Sequence, residues 1–371
     1  MRDLDYCRNR IDEIDKKLIE LFEERMNIVV DVAMYKAENN LPIFHKKREE
    51  EVIKKNVDRV KDEELKPYAQ DMLHSLMDIS KAYQCEKINK REVALSKGKE
   101  INLGFQGDLG SFGEEALIKY FGNDYSKKSF SEFEDVFTAL KFSEIDYGVL
   151  PIENSSTGSI TDVYDLLRKY DYHIVGETLL KIEHNLLGIK GAKIEDLKEI
   201  YSHHQGFEQS GNYIKTLKDV KKIPYHNTAI SAKYVSELSD KTKGAIASKR
   251  AATIYGLDIL KETINDAREN YTRFIIIGKD FETSELCNKM TIAFVIGNKA
   301  GQLYSKLKVF DENNINMRKI ESRPMGNGSF NYIFYVDIDG NIDFEEIKKA
   351  LNSIEKTTED FRIMGAYKRQ E

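Results

Sequence analysis

From Leu4 to about Glu38 the chain runs without a proline or glycine, while Ile11, Ile14, Leu18, Leu21, Phe22, Ile28, Val29, Val32 and Ala33 recur at helical spacing. That pattern specifies one continuous helix. Roughly 35 residues at 1.5 Å rise reach about 50 Å, too long for a compact domain of about ninety residues unless the helix packs along another chain. A homo-oligomer, at least a dimer, is therefore expected. Asn39-Asn40-Leu41-Pro42 breaks the helix. A second helix is expected from Lys47 to about Val60 and a third from Leu65 to about Lys87.

The cations of this three-helix unit are spaced informatively. Arg25 and Lys36 are about 20° apart in azimuth and roughly 16 Å apart along the axis, so both can reach one small dianion between them. Arg8 lies about 25 Å from Arg25 along the axis and about 100° round it, and on a straight helix it can join that ligand only from a partner's helix. Read singly, each cation is equally at home on a solvated helix face.

As a set, Arg8, Ile11-Asp12-Glu13-Ile14-Asp15, Glu24-Arg25, Lys36, Arg48-Glu49, Ser80 and Gln84 resemble the all-helical chorismate mutase family over nearly the whole segment. The resemblance implies a pericyclic rearrangement of chorismate to prephenate, with no nucleophile and no cofactor. By the same resemblance Arg25, Arg48 and Arg8 of the partner subunit bind carboxylates, and Ser80 supports them. Lys36 and Gln84 face the ether oxygen, Glu49 holds the ring hydroxyl, and His45 stands where the family often has Asp near that hydroxyl.

At 371 residues the chain exceeds one ordinary core, so two or three domains are expected. No apolar run is long enough to span a membrane, no signal-peptide pattern opens the chain, and Cys7, Cys85 and Cys287 are odd in number and far apart. Cytoplasmic residence follows as the expectation. A net charge of -6 with 32% charged residues gives no general case for nucleic-acid binding, so any anion site must be local.

Glu86 to Glu100 reads as a linker, after which strand and helix patterns alternate in α/β fashion. Gly104, Gly107, Gly110 and Gly113 recur every third residue, a spacing that fits neither a dinucleotide fingerprint nor a P-loop. Such a turn can bring N–H groups to a carboxylate or simply turn tightly. The loop Pro151 to Ser159 is rich in hydroxyl and amide groups ahead of a helical stretch, which suits either an organic anion or an ordinary N-cap. His203 and His204 are paired, but the other His and Cys residues do not converge on them, so no metal is expected. Glu269-Asn270-Tyr271-Thr272-Arg273-Phe274 then opens the buried run Ile275-Ile276-Ile277, putting a hydroxyl and a cation where a cleft can use them.

Glu153-Asn154-Ser155, Ser202-His203, Gln205, Gly244 to Ser248 and Thr272-Arg273-Phe274 resemble prephenate dehydratase from about residue 101 to 279. The implied fold is two α/β lobes about a cleft, similar to periplasmic anion-binding proteins. The implied reaction is loss of carbon dioxide and the ring hydroxyl from prephenate, with Thr272 as hydrogen-bond donor and Asn154 and Gln205 orienting substrate beside Ser155. Arg273 has two readings, a bidentate carboxylate clamp and a structural ion pair. His204 stands in place of the proline usual in that loop.

The last eighty residues read as a βαββαβ ferredoxin-like unit. Ala300-Gly301-Gln302-Leu303 and Ile320-Glu321-Ser322-Arg323-Pro324 resemble the amino-acid-sensing ACT domain that accompanies prephenate dehydratases. The resemblance implies L-phenylalanine as feedback effector, held by Gly301, Gln302, Leu303, Glu321, Ser322, Arg323 and Pro324. The expected layout is thus an all-α mutase domain at 1–90, a two-lobed α/β dehydratase domain at 101–279 and an α+β ACT domain at 289–371. A non-catalytic sensor that has lost turnover is the alternative reading.

Overall fold

The computed structural model describes residues 3–38, 46–95, 101–325 and 331–370, apart from the side chains of some residues on the first three helices, Glu49 among them. Two compact units emerge, Met1–Lys99 and Glu100–Glu371.

The first unit holds α1 (Leu4–Glu38), α2 (Lys46–Val57) and α3 (Lys66–Leu95). The single long helix matches its apolar spacing. The third helix continues past Lys87 into the stretch expected to be linker, because Lys87 to Leu95 contains no glycine or proline to stop it. Within one chain, Met26 and Ile53 are buried, whereas Ile11, Ile14, Leu18, Leu21 and Ile28 remain 46–61% exposed.

The second unit contains two α/β lobes and a third sheet. Its first half reads β1 (Asn102–Gln106), α4 (Phe112–Phe121), β2 (Ser126–Phe130), α5 (Phe133–Lys141), β3 (Tyr147–Asn154), β4 (Gly158–Ser159), α6 (Thr161–Tyr170) and β5 (His173–Lys181). A second lobe follows, comprising β6 (Asn185–Gly188), β7 (Glu199–Ser202), α7 (His204–Glu208), α8 (Gly211–Ile214), β8 (Lys221–Pro224), α9 (Thr228–Leu238), β9 (Lys243–Ala247), α10 (Lys249–Tyr255) and β10 (Asp258–Lys261). The chain then returns through β11 (Tyr271–Gly278), so the first sheet is ordered β2-β1-β3-β11-β5 with β4 beside β3, and the second β10-β6-β9-β7-β8.

This return inserts β11 between β3 and β5, with Thr272 opposite Asn154. Its residues are buried on both faces. Phe274 and Ile276 pack with Leu103, Phe105 and Leu117, while Ile275 and Ile277 join a cluster with Ala293, Val295, Tyr335 and Met364.

Those last four belong to the third sheet, ordered β13-β14-β12-β15 and built from β12 (Lys289–Ile296), α11 (Gln302–Glu312), β13 (Met317–Pro324), β14 (Tyr332–Asp339), α12 (Glu345–Glu355) and β15 (Asp360–Tyr367). This is the expected βαββαβ unit. Phe310, Ile347, Leu351 and Ile354 cover one face together with Ile292 and Phe294. The opposite face meets β5, where Gly365 permits an approach that a Cβ would block at 2.0 Å from the Ile174 carbonyl oxygen. No helix among the described residues is long and apolar enough to cross a membrane.

Candidate active site

A continuous line of amides runs beside Thr272. Asn154 accepts at Oδ1 from the backbone N–H groups of Ser156 (2.9 Å) and Thr157 (3.0 Å). Backbone amides only donate, so this fixes the orientation of the Asn154 side chain and turns Nδ2 toward Asn270 Oδ1 (2.8 Å) and Thr272 Oγ1 (2.9 Å). Because Thr272 accepts from Asn154, its own proton is free to be offered elsewhere. Asn270 Nδ2 in turn donates to Gln209 Oε1 (3.0 Å), which also contacts His184 Nε2 at 2.9 Å. Asn154, Asn270, Thr272 and His184 are all buried. Burial pulls the His184 imidazole below its ordinary pKa, only partly offset by the contact with Gln209.

Several motif residues serve the framework of this region. Tyr271 N–H donates to Ser155 Oγ (2.9 Å) and Ser155 N–H to the Tyr271 carbonyl (2.8 Å), extending the β3–β11 pairing past its last rung. His203 caps α7 by accepting the Gln205 N–H at Nδ1. The glycine-rich turn docks on the opposite lobe. At Gly110, φ is +86° and a Cβ would lie 2.8 Å from Ala251 Cα on α10. Ser248 Oγ donates to the Gly110 carbonyl (2.9 Å), and Arg250 grips Glu114 with two bonds of 2.8 and 2.9 Å. Burial alone would push the Glu114 carboxyl up, yet Arg250 and the Gly110 N–H hold it below its ordinary value.

The next residue along β11 points the other way. Arg273 meets Glu153 Oε2 (3.0 Å), Glu177 Oε2 (3.1 Å) and Asp337 Oδ2 (2.9 Å), the last from β14 of the third sheet. Lys289 contacts the same two buried carboxylates, at 2.7 Å to Glu177 and 3.1 Å to Asp337, and Lys319 reaches Glu153 at 3.1 Å. Three cations thus balance three anions. Burial disfavours the charged guanidinium of Arg273, but Asp337, Tyr367 and Glu177 more than compensate and raise its pKa. Asp337 is likewise penalised by burial, and Arg273, Lys289 and Thr291 hold it below the usual carboxylate range.

In the helical unit, Arg25 hydrogen-bonds Ser80 Oγ through Nη1 and contacts Met77 Sδ at 3.5 Å. Burial lowers its pKa. Ser80 donates to the Leu76 carbonyl (2.6 Å), and Gln84 Nε2 to the Val29 carbonyl on α1 (2.8 Å). Arg8 lies beside Asp5 at 3.7 Å and Arg48 beside Glu51 at 3.4 Å, both solvent-exposed.

Residues 7–85 match the family described as Chorismate mutase type II, and residues 103–282 match Prephenate dehydratase. A bifunctional chorismate mutase/prephenate dehydratase from Buchnera aphidicola subsp. Acyrthosiphon pisum is 33% identical over 366 residues, covering 97% of this chain and 95% of that protein. The chain belongs to this bifunctional chorismate mutase/prephenate dehydratase family. It is accordingly an isomerase joined to a lyase of phenylalanine biosynthesis. Among solved structures, prephenate dehydratase of Arthrobacter aurescens in complex with L-Phe aligns at TM-score 0.67 and 26% identity, covering 72% of this chain and 90% of that one. GqqA, described as a novel type of quorum quenching acylase, aligns at the same TM-score and 27% identity, covering 72% of this chain and 98% of that one. A shared fold therefore does not by itself fix the reaction.

Against the family's expected residues, the dehydratase region joins Asn154 to Thr272 but leaves Gln205 out. Gln205 is exposed on α7, and Gln209, one turn later, enters the amide line instead. Arg273 is a structural ion pair, because its guanidinium is saturated by three carboxylates on the side of β11 facing the third sheet. Ser155 is committed to the backbone of Tyr271. The Ser156 and Thr157 amides, in a loop whose sequence suits either an organic anion or an ordinary turn, are taken by Asn154. In the ACT-like sheet, Gly301 (φ +79°) starts α11 at Gln302, and Leu303 packs against the core. Glu321 accepts from Ser159 Oγ (2.5 Å) and Arg323 pairs with Asp165 (2.7 Å), so both are tied to the dehydratase lobe, while Ser322 and Pro324 are exposed. On the mutase side, Arg25 and Ser80 are joined as expected and Gln84 is anchored to α1. Lys36 is half-buried near the end of α1, Glu49 has no described side chain, and His45 lies outside the described residues. Gln209 and Asn270 lie within the informative stretches Ser202 to Gln209 and Glu269 to Phe274 but carry no assigned role in the sequence, and His184 lies outside every such stretch.

Proposed function

We propose that the two reactions run at separate sites of this chain, chorismate rearranging in the three-helix unit and prephenate becoming phenylpyruvate at Thr272. The hydrogen bond from Asn154 to Thr272 carries the reading, since its polarity leaves the threonine proton available to a departing oxygen. Prephenate must gain one proton and release carbon dioxide and water. The bond to the ring carboxylate breaks, its electron pair restores the aromatic ring, and the ring C–O bond breaks with the oxygen leaving as water. Thr272 donates a hydrogen bond to that oxygen. A threonine hydroxyl has little acidity, so its contribution is preorganisation.

In the helical unit the rearrangement needs no proton transfer, only a compact conformer and stabilised charge at the ether oxygen. Arg25, Arg48 and Arg8 of the partner subunit take the carboxylates, with Ser80 supporting Arg25. Lys36 and Gln84 face the ether oxygen, and Glu49 is assigned to hold the ring hydroxyl, with His45 at the sequence position where the family often has Asp. The exposed apolar residues Ile11, Ile14, Leu18, Leu21 and Ile28 follow a spacing of three, four, three and seven, a seam suited to a second copy of α1. Both steps balance without a cofactor.

The solved Arthrobacter relative carries L-Phe. For this chain the same effector is proposed at the turn Gly301-Gln302-Leu303 and the exposed side of Glu321 to Pro324, with feedback on Thr272. The domains are proposed at 1–90, 101–279 and 289–371. Cys7 and Cys287 are free thiols, in keeping with a cytoplasmic location.

The test follows chorismate, prephenate and phenylpyruvate in one time course, with and without L-phenylalanine. Phenylpyruvate formation that phenylalanine suppresses is expected. Binding of prephenate and phenylalanine with no product from either substrate would leave a sensor rather than an enzyme.

A further inference from the structure

The chain passes between the two dehydratase lobes twice, after β5 and before β11, and the two crossings are laced together. Ile182 N–H donates to the Asn270 carbonyl (2.7 Å), His184 N–H to Asn265 Oδ1 (2.7 Å), and Ile264 N–H to the His184 carbonyl (2.8 Å). His184 therefore sits on one crossing and Asn270 on the other. The imidazole is 3% exposed and lies edge-on to Phe112 of α4, with ring centroids 5.5 Å apart.

The direction of the amide line fixes which nitrogen of His184 carries hydrogen. The Ser156 and Thr157 amides force Asn154 to donate to Asn270 Oδ1, so Asn270 must donate from Nδ2 to Gln209 Oε1. That oxygen is only an acceptor, and the atom facing it on His184 must be an N–H. A neutral ring with hydrogen at Nε2 leaves Nδ1 bare, and Nδ1 is buried with no hydrogen-bond partner among the described residues. An apolar ring would fill the same space without that penalty, so what a histidine adds at this position is its Nε2 donor.

We propose that His184 is a positioning residue for the dehydratase reaction, which holds Gln209 and Asn270 in the one orientation that lets Asn154 donate to Thr272 and turns the threonine proton toward substrate. This rests on Thr272 being the donor. His184 touches neither Thr272 nor Asn154; it acts through two amides from the lobe crossing. The orientation of the catalytic hydroxyl is thereby tied to how the lobes are joined.

The test uses the full chain and compares His184→Phe, which keeps an aromatic ring, with His184→Gln, whose side-chain NH2 replaces the Nε2 donor. His184→Phe is expected to lower kcat for prephenate on the order of tenfold, the effect of one lost hydrogen bond, with KM within about twofold. His184→Gln should recover most of that loss. Gln209→Met should match His184→Phe, and the double variant should be no worse than either alone, because both break the same line. Equal damage from Gln and Phe, full activity of the Phe variant, or additive losses in the double variant would overturn the proposal. Should His184→Phe not fold, Gln209→Met against Gln209→Glu, which keeps the acceptor, decides the same question: equal losses overturn it. A wild-type chain inert toward prephenate, or full activity of Thr272→Ala, would instead refute the parent reading.

Discussion

Asp337→Asn removes one charge from the buried cluster that joins β11 to the third sheet while barely changing volume. Asp337 is 4% exposed and faces Arg273 at 2.9 Å, Lys289 at 3.1 Å and Thr291 Oγ1 at 2.7 Å. Asparagine can still accept from Thr291, but its NH2 would face two cations. Removing one partner of a buried ion pair costs about 3–5 kcal/mol. Arg273 keeps Glu153 and Glu177 and Lys289 keeps Glu177, which favours the lower end, about 3 kcal/mol. At about 2–4 °C per kcal/mol for a unit of this size, the melting transition of the second unit should fall by about 6–12 °C.

Differential scanning calorimetry of the full chain measures this, with Glu144→Gln as control. Glu144 pairs with Lys128 on the surface, and its loss should cost less than about 1 kcal/mol. The pH dependence supplies a second reading. Asp337 has a folded pKa held below its unfolded value of about 3.9, so its contribution is present above about pH 4 and is lost as pH falls through the folded value. Asp337→Asn should therefore flatten the acid limb of the stability curve. A melting temperature within about 2 °C of wild type, with the acid limb unchanged, would refute the view that this cluster holds the sheet to the lobe.

Thr272→Ala should cut dehydratase kcat by about 10²–10³, the usual effect of losing one preorganised donor. Mutase turnover should stay near wild type, and equal loss of both activities in a folded protein would sink the separate-site reading. Arg8→Ala mixed with Arg25→Ala should restore part of the mutase activity once subunits have exchanged, because one of the hybrid's two sites would then carry both arginines. No recovery after proven exchange would count against the shared site.

Much of the architecture was legible from spacing. The period of Ile11 to Val32 specified a long helix, alternation specified the ferredoxin-like unit, Thr272 stood out as a polar residue at the mouth of a buried strand, and Asn154 stood out through the resemblance to prephenate dehydratase. Three features were not legible. Gln205 and Gln209 are four residues apart and share a helix face, so spacing could not say which joins the amide line. Thr272 and Arg273 must face opposite sides of a strand, but local alternation does not say which side is the cleft and which receives a third sheet. His184 is a lone histidine between two strand patterns, with no motif around it.

The division follows from the range of the forces. Helical and strand periods, caps and breakers act over a few residues and are written into the chain in order. The assignment of β11 to the centre of the first sheet depends on a whole lobe being inserted between β5 and β11, and with it the pairing of Thr272 with Asn154 and of Arg273 with Asp337. Those contacts form only when segments far apart in sequence bury their apolar faces together, and burial then makes each remaining polar partner obligatory.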